Sequence, residues 1–135
     1  MSAAALAEAL WPGGLTLIVP QRPDVSLPAA LTGGAATIGL RVPDHDAPRT
    51  LAAAVGPLPT TSANVSGLPE AATAAEILDQ LGDAVALVLD GGPAHGGPAS
   101  TVLDCTAEPP RILRIGAISR AEVEWVLGRA VQSPA

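Results

Sequence analysis

The chain contains no lysine, no phenylalanine and no tyrosine. Its only aromatic residues are Trp11 and Trp125, so Ala, Val, Leu and Ile must fill the interior and pack closely with small side chains. Charged residues make up 15% of the chain and hydrophobic residues 48%, which is the reverse of the composition of disordered proteins. We therefore expect one folded domain over the 135 residues.

Three further shortages exclude classes of function. The net charge of −6 gives no general attraction to phosphate backbones, so we expect weak or no direct nucleic-acid binding, although a local arginine pocket remains open. The single Cys105 cannot form an internal disulfide, which favours a reducing compartment and a cytoplasmic location. The apolar start, residues 1–10, carries Glu8 and no basic residue before Glu8, so we expect no signal peptide. No run of about 18 apolar residues is free of Gly, Pro or charge, so we expect no membrane span.

Sequence patterns predict four helices. The first covers residues 3–10, and the second starts at Asp46 or Ala47 and runs to about Val55. Thr73 with Glu76, and Ser119 with Glu122, have the capping-box spacing and predict helices over 74–81 and from 120 to about 127 or 130. Residues 27–31 could add one helical turn.

Apolar, β-branched runs predict five strands, over 15–19, 36–42, 84–89, 100–105 and 111–115, of which 84–89 is the clearest. Because strands and helices interleave, we expect an α/β fold with a twisted mixed sheet and flanking helices. Residues 1–135 should form a single domain with a frayed tail over 131–135.

Two polar segments could form a binding site. Residues 60–67 (TTSANVSG) make a turn whose hydroxyl and backbone N–H groups can hold a phosphate or carboxylate, or they form an ordinary polar loop. Residues 90–101 are rich in glycine but match neither a P-loop nor a dinucleotide fingerprint, and they could be a simple flexible connection. Arg41 and Arg114, at or near the ends of strands, either pair with a surface carboxylate or bind an anionic ligand.

Metal binding and nucleophilic catalysis have little support. Asp44, His45 and Asp46 are adjacent and cannot all face one ion, so we predict no metal site and read His45 as a solvated turn residue. His95 is a weak candidate for a base. Cys105 has no evident partner and is expected to be a small core residue. We predict no catalytic side chain as such.

Five segments taken together resemble a known family. Residues 11–17 (WPGGLTL), 37–43 (TIGLRVP), 60–67 (TTSANVSG), 100–102 (STV) and 114–117 (RIGA) are similar, in order and approximate spacing, to segments of the YrdC-like threonylcarbamoyl-AMP synthases. The resemblance runs from about residue 6 to 128 and implies a YrdC-like α/β sheet with a central ligand cavity.

The resemblance also implies an activity and a set of site residues. Such enzymes use ATP, L-threonine and bicarbonate to make threonylcarbamoyl-AMP, which a partner complex uses to modify tRNA, and Mg²⁺ arrives with ATP. Carried over by motif, the nucleotide would contact Thr37, Ser62, Asn64 and Arg114, with Asn64 also shaping its loop, and the threonyl part would contact Arg41, Thr60 and Ser100. Arginines would meet a carboxylate and a phosphate, so catalysis would rest on positioning and charge stabilisation.

The chain departs from the family pattern in two ways. It lacks the Thr-rich strand and the Lys-x-Arg segment with which the family opens, so we expect an amino-terminally truncated domain, and position 70 is Glu where a small hydroxyl residue is common. Two alternatives therefore stay open. The chain could be a remnant that binds nucleotide or acyl-adenylate without turnover, or a related carbamoyl-transfer domain with another acceptor.

Overall fold

A computed structural model describes residues 2–94 and 96–134. Its helices and strands are, in chain order, α1 (Ser2–Leu10), β1 (Leu15–Pro20), α2 (Ala29–Thr32), β2 (Thr37–Leu40), α3 (Asp46–Val55), α4 (Ala74–Leu81), β3 (Thr101–Asp104), β4 (Arg111–Arg114) and α5 (Arg120–Leu127). The four predicted helices, the extra turn in α2, and four of the five predicted strands are therefore confirmed, with small differences at their ends.

The four strands form one mixed sheet in the order β2-β1-β3-β4. β1 pairs antiparallel with β2 and parallel with β3, and β3 pairs antiparallel with β4. The parallel pair needs a long crossover, and residues between β2 and β3, including α3 and α4, supply it. This topology confirms the predicted α/β class with a mixed sheet and flanking helices.

One face of the sheet carries the hydrophobic core. Side chains alternate between the two faces of a strand, and the buried set comes from every second position of β1 and β3, together with residues of α1, β4, α5 and the chain after α5. The buried hydrophobic core cluster consists of Leu6, Leu15, Leu17, Leu103, Ile112, Val123 and Val131. Residues of α1 and α5 cover this face, and the opposite face carries Thr16, Ile18, Val102 and Asp104 of β1 and β3.

Helix ends follow the predicted caps. Thr73 Oγ1 accepts from the Glu76 N–H at 3.2 Å, and α5 has the complete capping box between Ser119 and Glu122. His45, predicted to be a solvated turn residue, is exposed, and its Nδ1 accepts from the Ala47 N–H at 3.2 Å, so it also caps α3.

The prediction of a strand over residues 84–89 is wrong. Gly82–Ala84 form a 3₁₀ turn, and the residues that follow are irregular. A strand exists only where another strand supplies hydrogen-bond partners, and none of the described residues pairs with this segment. The apolar composition predicted burial, yet Leu87 is 76% exposed and Leu89 is 61% exposed.

The prediction of a frayed tail is also wrong for the residues that directly follow Ala130. Val131 is 3% exposed and belongs to the core. Gln132 donates its N–H to the Pro110 carbonyl at 2.9 Å and accepts from the Ile112 N–H at 3.0 Å. Burial of one valine and two backbone hydrogen bonds hold this segment against β4.

No helix among the described residues is long and apolar enough to cross a membrane.

Candidate binding site on the open face of the sheet

Several residues predicted for the site lie on the sheet face opposite the core. The register places Thr37 and Gly39 of β2 on the same face as Ile18 of β1, and Arg41 follows β2 in the same alternation. Ser100 precedes β3 and Arg114 ends β4 on this face. We call this group the open-face site: Thr16, Thr37, Gly39, Arg41, Ser100 and Arg114.

A hydrogen-bonded cluster occupies the centre of the open-face site. Thr16 Oγ1 and Ser100 Oγ are 2.9 Å apart, across the parallel pair β1 and β3. Arg114 donates from Nε to the Ser100 carbonyl at 3.0 Å, and from Nη2 to that carbonyl at 2.8 Å and to Ser100 Oγ at 3.1 Å. These contacts hold a guanidinium and two hydroxyls together, an arrangement suited to a carboxylate or a phosphate.

Arg41 lies two strands away from β3, at the far side of the same face. Its Nε donates to the Gly13 carbonyl at 3.0 Å, and the Gly13 N–H donates to the Val42 carbonyl at 2.8 Å, so the loop before β1 fixes the side chain. A side chain at Gly39 would approach the Thr16 methyl to 3.4 Å. Glycine at this position therefore leaves room above β2 between Arg41 and Thr16.

Neither arginine of the open-face site is neutralised within the described residues. The ion pairs found there involve Arg22, Arg49, Arg120 and Arg129, and none involves Arg41 or Arg114. Nη1 of Arg114 makes no hydrogen bond with a described residue. Of the two alternatives left open by the sequence, pairing with a surface carboxylate is not observed, and donors remain available for an anion.

The side chain of Thr101, in β3, holds the loop that follows β4 by hydrogen bonds. It is fully buried on the core side. Its hydroxyl donates to the Ile118 carbonyl at 2.5 Å and accepts from the N–H groups of Gly116 at 2.8 Å and Ile118 at 3.1 Å. A Cβ at Gly116 would lie 1.9 Å from the Ala99 carbonyl, so only glycine permits this close approach beside Ser100.

The loop of residues 60–67 forms a separate part of the predicted site. Asn64 Nδ2 donates to the carbonyls of Val65 at 3.1 Å and Leu68 at 2.9 Å. Gln80 of α4 accepts from the Val65 N–H at 3.0 Å and so anchors the loop. Asn64 therefore shapes its own loop. Asn64 Oδ1 is buried without a hydrogen-bond partner among the described residues.

Thr60 and Ser62 are exposed, and within the described residues no hydrogen bond joins them to the open-face site. The structure thus brings Thr37, Arg41, Ser100 and Arg114 to one face and leaves Thr60, Ser62 and Asn64 on a loop of their own. Glu70, beyond that loop, is exposed, and His95 lies outside the described residues.

Two neighbouring groups at the end of β3 have shifted pKa values. The Thr106 hydroxyl donates to Asp104 and is the main reason that the pKa of Asp104 is lowered. Burial, helped by the negative charge of Asp104, raises the pKa of the Cys105 thiol to about 11. Cys105 therefore stays a neutral thiol near neutral pH, as a small residue packed against the core would.

Sequence reasoning missed the role of Thr16. Thr16 lies in the segment 11–17 that resembles the family, but the run 15–19 was interpreted only as a buried strand, with no role for the Thr16 hydroxyl. The available signal was the alternation itself, because Thr16 is the one hydroxyl between the buried residues Leu15 and Leu17.

Comparisons with known proteins identify the family and support the fold. The sequence model of the Sua5/YciO/YrdC family, described as "Telomere recombination", matches residues 1–116. A putative threonylcarbamoyl-AMP synthase of Mycobacterium tuberculosis strain H37Rv is 42% identical over 123 residues, which cover 91% of this chain and 56% of the relative. The threonylcarbamoyl-AMP synthase of Bacillus subtilis strain 168 is 40% identical over 124 residues, covering 91% of this chain and 36% of the relative.

A solved structure is similar over almost the whole chain. The crystal structure of Pyrococcus abyssi Sua5 complexed with L-threonine matches with a TM-score of 0.87 and 35% identity, covering 97% of this chain and 38% of that protein. The chain therefore spans about half, or less, of the length of these relatives.

Proposed function

Because the chain belongs to the Sua5/YciO/YrdC family, we propose that it acts in the synthesis of threonylcarbamoyl-AMP from ATP, L-threonine and bicarbonate. The reaction joins the threonine nitrogen to the carbonate carbon and the resulting carboxylate to the α-phosphate, and it releases pyrophosphate and water. The product is the donor for threonylcarbamoyladenosine in tRNA, which a partner protein would complete.

One observation carries the proposal. Arg41 and Arg114, both without an ion pair among the described residues, share one sheet face with the Thr16–Ser100 hydroxyl pair. A substrate with a carboxylate and a phosphate matches two separated guanidiniums. The relative from P. abyssi that was solved with L-threonine supports a threonine site within this fold.

Each residue has a role in the proposal. Arg41 and Ser100 bind the carboxylate and polar groups of L-threonine, with Thr60 from the loop. Arg114 and Thr37, with Ser62 from the loop, bind the nucleotide, including its phosphate. Asn64 is assigned to the nucleotide part as well, and its hydrogen bonds fix the conformation of the loop. The contribution to the rate would be positioning and stabilisation of developing negative charge, and no side chain of this set need become a nucleophile.

The proposal assigns Mg²⁺ to the phosphates of ATP. No group of three or more His, Cys, Asp or Glu side chains suited to a metal occurs in the part of the chain that the structure describes. Mg²⁺ commonly binds through substrate phosphates and water, with only one or two protein carboxylates.

A second candidate function is ligand binding without turnover. The observation behind it is that these 135 residues contain no lysine, a common phosphate ligand.

Two measurements on the purified chain separate the candidates. Mass spectrometry would detect threonylcarbamoyl-AMP after incubation with ATP, Mg²⁺, L-threonine and bicarbonate, and calorimetry would measure L-threonine binding. Product formation supports the synthase, and binding without product supports the second candidate. Absence of both contradicts the open-face site.

Arg41→Gln is the matched test of the site, with Arg49→Gln as its control. We expect Arg41→Gln to weaken L-threonine binding by about tenfold or more, because it removes a charged donor. Arg49 lies on α3, where its nearest carboxylate, that of Asp46, is 4.0 Å away, so Arg49→Gln should bind as the parent does.

A further inference from the structure

Gly39 lies within β2, where a glycine weakens the strand because it has much backbone freedom to lose and no side chain to pack. The backbone does not require glycine there, since the φ of Gly39 is not positive. Leaving out its neighbours in the chain, only one atom of the described residues, the Thr16 methyl carbon, lies within 4 Å of the position of a Cβ at Gly39, at 3.4 Å. Packing among the described residues therefore does not explain the glycine.

The space above Gly39 belongs to the open-face site. Ile18 is the partner of Gly39 in the ladder between β1 and β2, and its half-buried side chain lies on the same face. Thr37 and Arg41 lie two positions to either side of Gly39, about 13 Å apart along an extended chain. Gly39 and Ile18 thus form an apolar strip, the shelf, between two residues assigned to the substrates. A glycine inside a strand commonly marks the close approach of a ligand or another backbone, and no backbone of the described residues approaches here.

The chemistry of the shelf selects one part of the substrates. The hydrogen-bonding groups of a strand point towards its neighbours in the sheet, so the surface above Gly39 and Ile18 is flat and offers apolar contact only. Phosphates, bicarbonate and the carboxylate of L-threonine need donors, which the shelf lacks. Among the groups of ATP, L-threonine and bicarbonate, the adenine ring is the flat group with two apolar faces.

The position of Arg114 agrees with a base at the shelf. Arg114 ends β4, and β1 lies two strands away, about 10 Å at the usual spacing of strands. A nucleotide whose phosphate meets Arg114 extends over β3 and brings its base above β1 and β2. The shelf is one row along the sheet from Arg41 and Thr16, so the base and the threonine would lie side by side.

We propose, building on the function proposed above, that Gly39 is a specificity-determining residue for the nucleotide. The adenine ring lies flat on Gly39 and Ile18, in room that a side chain at position 39 would fill. Burial of one face of the ring against the shelf contributes to the affinity, and the missing Cβ is what lets the ring approach the sheet.

AMP and ribose 5-phosphate are the probes, because they share the sugar and the phosphate and differ in the base. Titration calorimetry measures both, and L-threonine, with the parent and with Gly39→Ala. We expect the added methyl to weaken AMP binding about tenfold and to leave the binding of ribose 5-phosphate and L-threonine unchanged. Gly39→Ala should be at least as stable as the parent in thermal unfolding, because alanine has less backbone freedom to lose and meets only the Thr16 methyl.

Ile18→Ala removes the other half of the shelf. It should weaken AMP binding by about threefold or more and leave ribose 5-phosphate binding unchanged, because it removes apolar contact with the base. Unlike Gly39→Ala, it should lower the melting temperature, since the side chain is half-buried. A loss of AMP affinity shared by two variants with opposite effects on stability cannot come from stability.

Ala36→Val is the matched control. Ala36 directly precedes β2, is exposed, and by the alternation of a strand faces away from the open-face site. Carbon atoms added there lie on the wrong face to meet the base. AMP affinity should equal that of the parent.

Two results would overturn the shelf and leave the proposed function standing: equal AMP affinities of Gly39→Ala and the parent, or an equal loss of affinity for AMP and ribose 5-phosphate. Failure of the parent to bind AMP would overturn both. Absence of threonylcarbamoyl-AMP from a parent whose AMP binding responds to Gly39→Ala as expected would contradict the synthase and support the shelf.

Discussion

Arg114 and Thr16 show how single residues prepare the open-face site. Both act on Ser100, one by three hydrogen bonds from its guanidinium and the other through its hydroxyl. Ser100 is 8% exposed, so its hydroxyl has few alternative orientations. A ligand that meets this cluster finds donors already in place and loses less entropy on binding.

We expect Arg114→Lys to weaken nucleotide binding by about tenfold or more, because one ammonium cannot replace the fork of donors on Ser100 and still reach a phosphate. Calorimetry with a non-hydrolysable ATP analogue measures the effect. Arg49→Lys on α3 is the control and should bind as the parent does. Equal affinities of the Arg114→Lys variant and the parent would remove Arg114 from the site.

We expect Thr16→Val to weaken L-threonine binding by about three- to tenfold, the effect of losing one hydrogen bond that orients Ser100. Thr16→Ser keeps the hydroxyl and should retain most of the affinity. Titration calorimetry and thermal unfolding are measured together. A structural role alone would lower the melting temperature of Thr16→Val and leave the affinity of the folded protein unchanged.

At the scale of elements, α5 and the chain that follows it form one unit. Glu124 accepts from the Val131 N–H at 3.0 Å and from Arg120 Nε at 2.8 Å. Arg120 also donates to the Val131 carbonyl at 2.8 Å. These contacts connect the helix to the segment beside β4 and explain why that segment is docked.

The hydrogen bond from Val131, and then the one from Arg120, lower the pKa of Glu124. A lowered carboxylate pKa stabilises the fold above the usual pKa of about 4.3 and ceases to do so as the pH falls through the lowered value. We therefore expect Glu124→Gln to reduce the melting temperature near neutral pH, with a difference from the parent that disappears on acidification. Thermal unfolding over a pH series checks this, and a difference independent of pH would contradict it.

At the scale of the whole molecule, the seven-residue apolar core contrasts with many exposed apolar side chains. Leu and Val residues of β2, α3, α4 and the irregular segments are among those exposed. Residues of α1 and α5 belong to the core cluster on one face of the sheet. The stability of the isolated chain must therefore rest on the half of the fold formed by α1, the sheet and α5.

We expect the urea m value of the isolated chain to be about a fifth lower than that of a compact domain of the same length, because it exposes less new surface on unfolding. Unfolding followed by far-ultraviolet circular dichroism measures it. An m value typical of a compact domain would show that the apolar surface is buried in solution.

Local sequence patterns alone determined the helices, four strands and both helix caps. The pattern at Ser119 and Glu122, for example, needs only neighbours within one helical turn. The five segments resembling the synthases likewise predicted the family, because their order along the chain is readable without coordinates. Helices and their caps depend on contacts between residues close in sequence.

Only the tertiary structure decided the features that depend on distant partners. Residues 84–89 have a strand composition but no strand, because backbone groups pair only with another strand. Val131 is docked because a core formed by α1, β3 and α5 receives it. Thr16 meets Ser100 across 84 positions of the chain, a contact created by the parallel pairing of β1 with β3, and no local pattern could specify it.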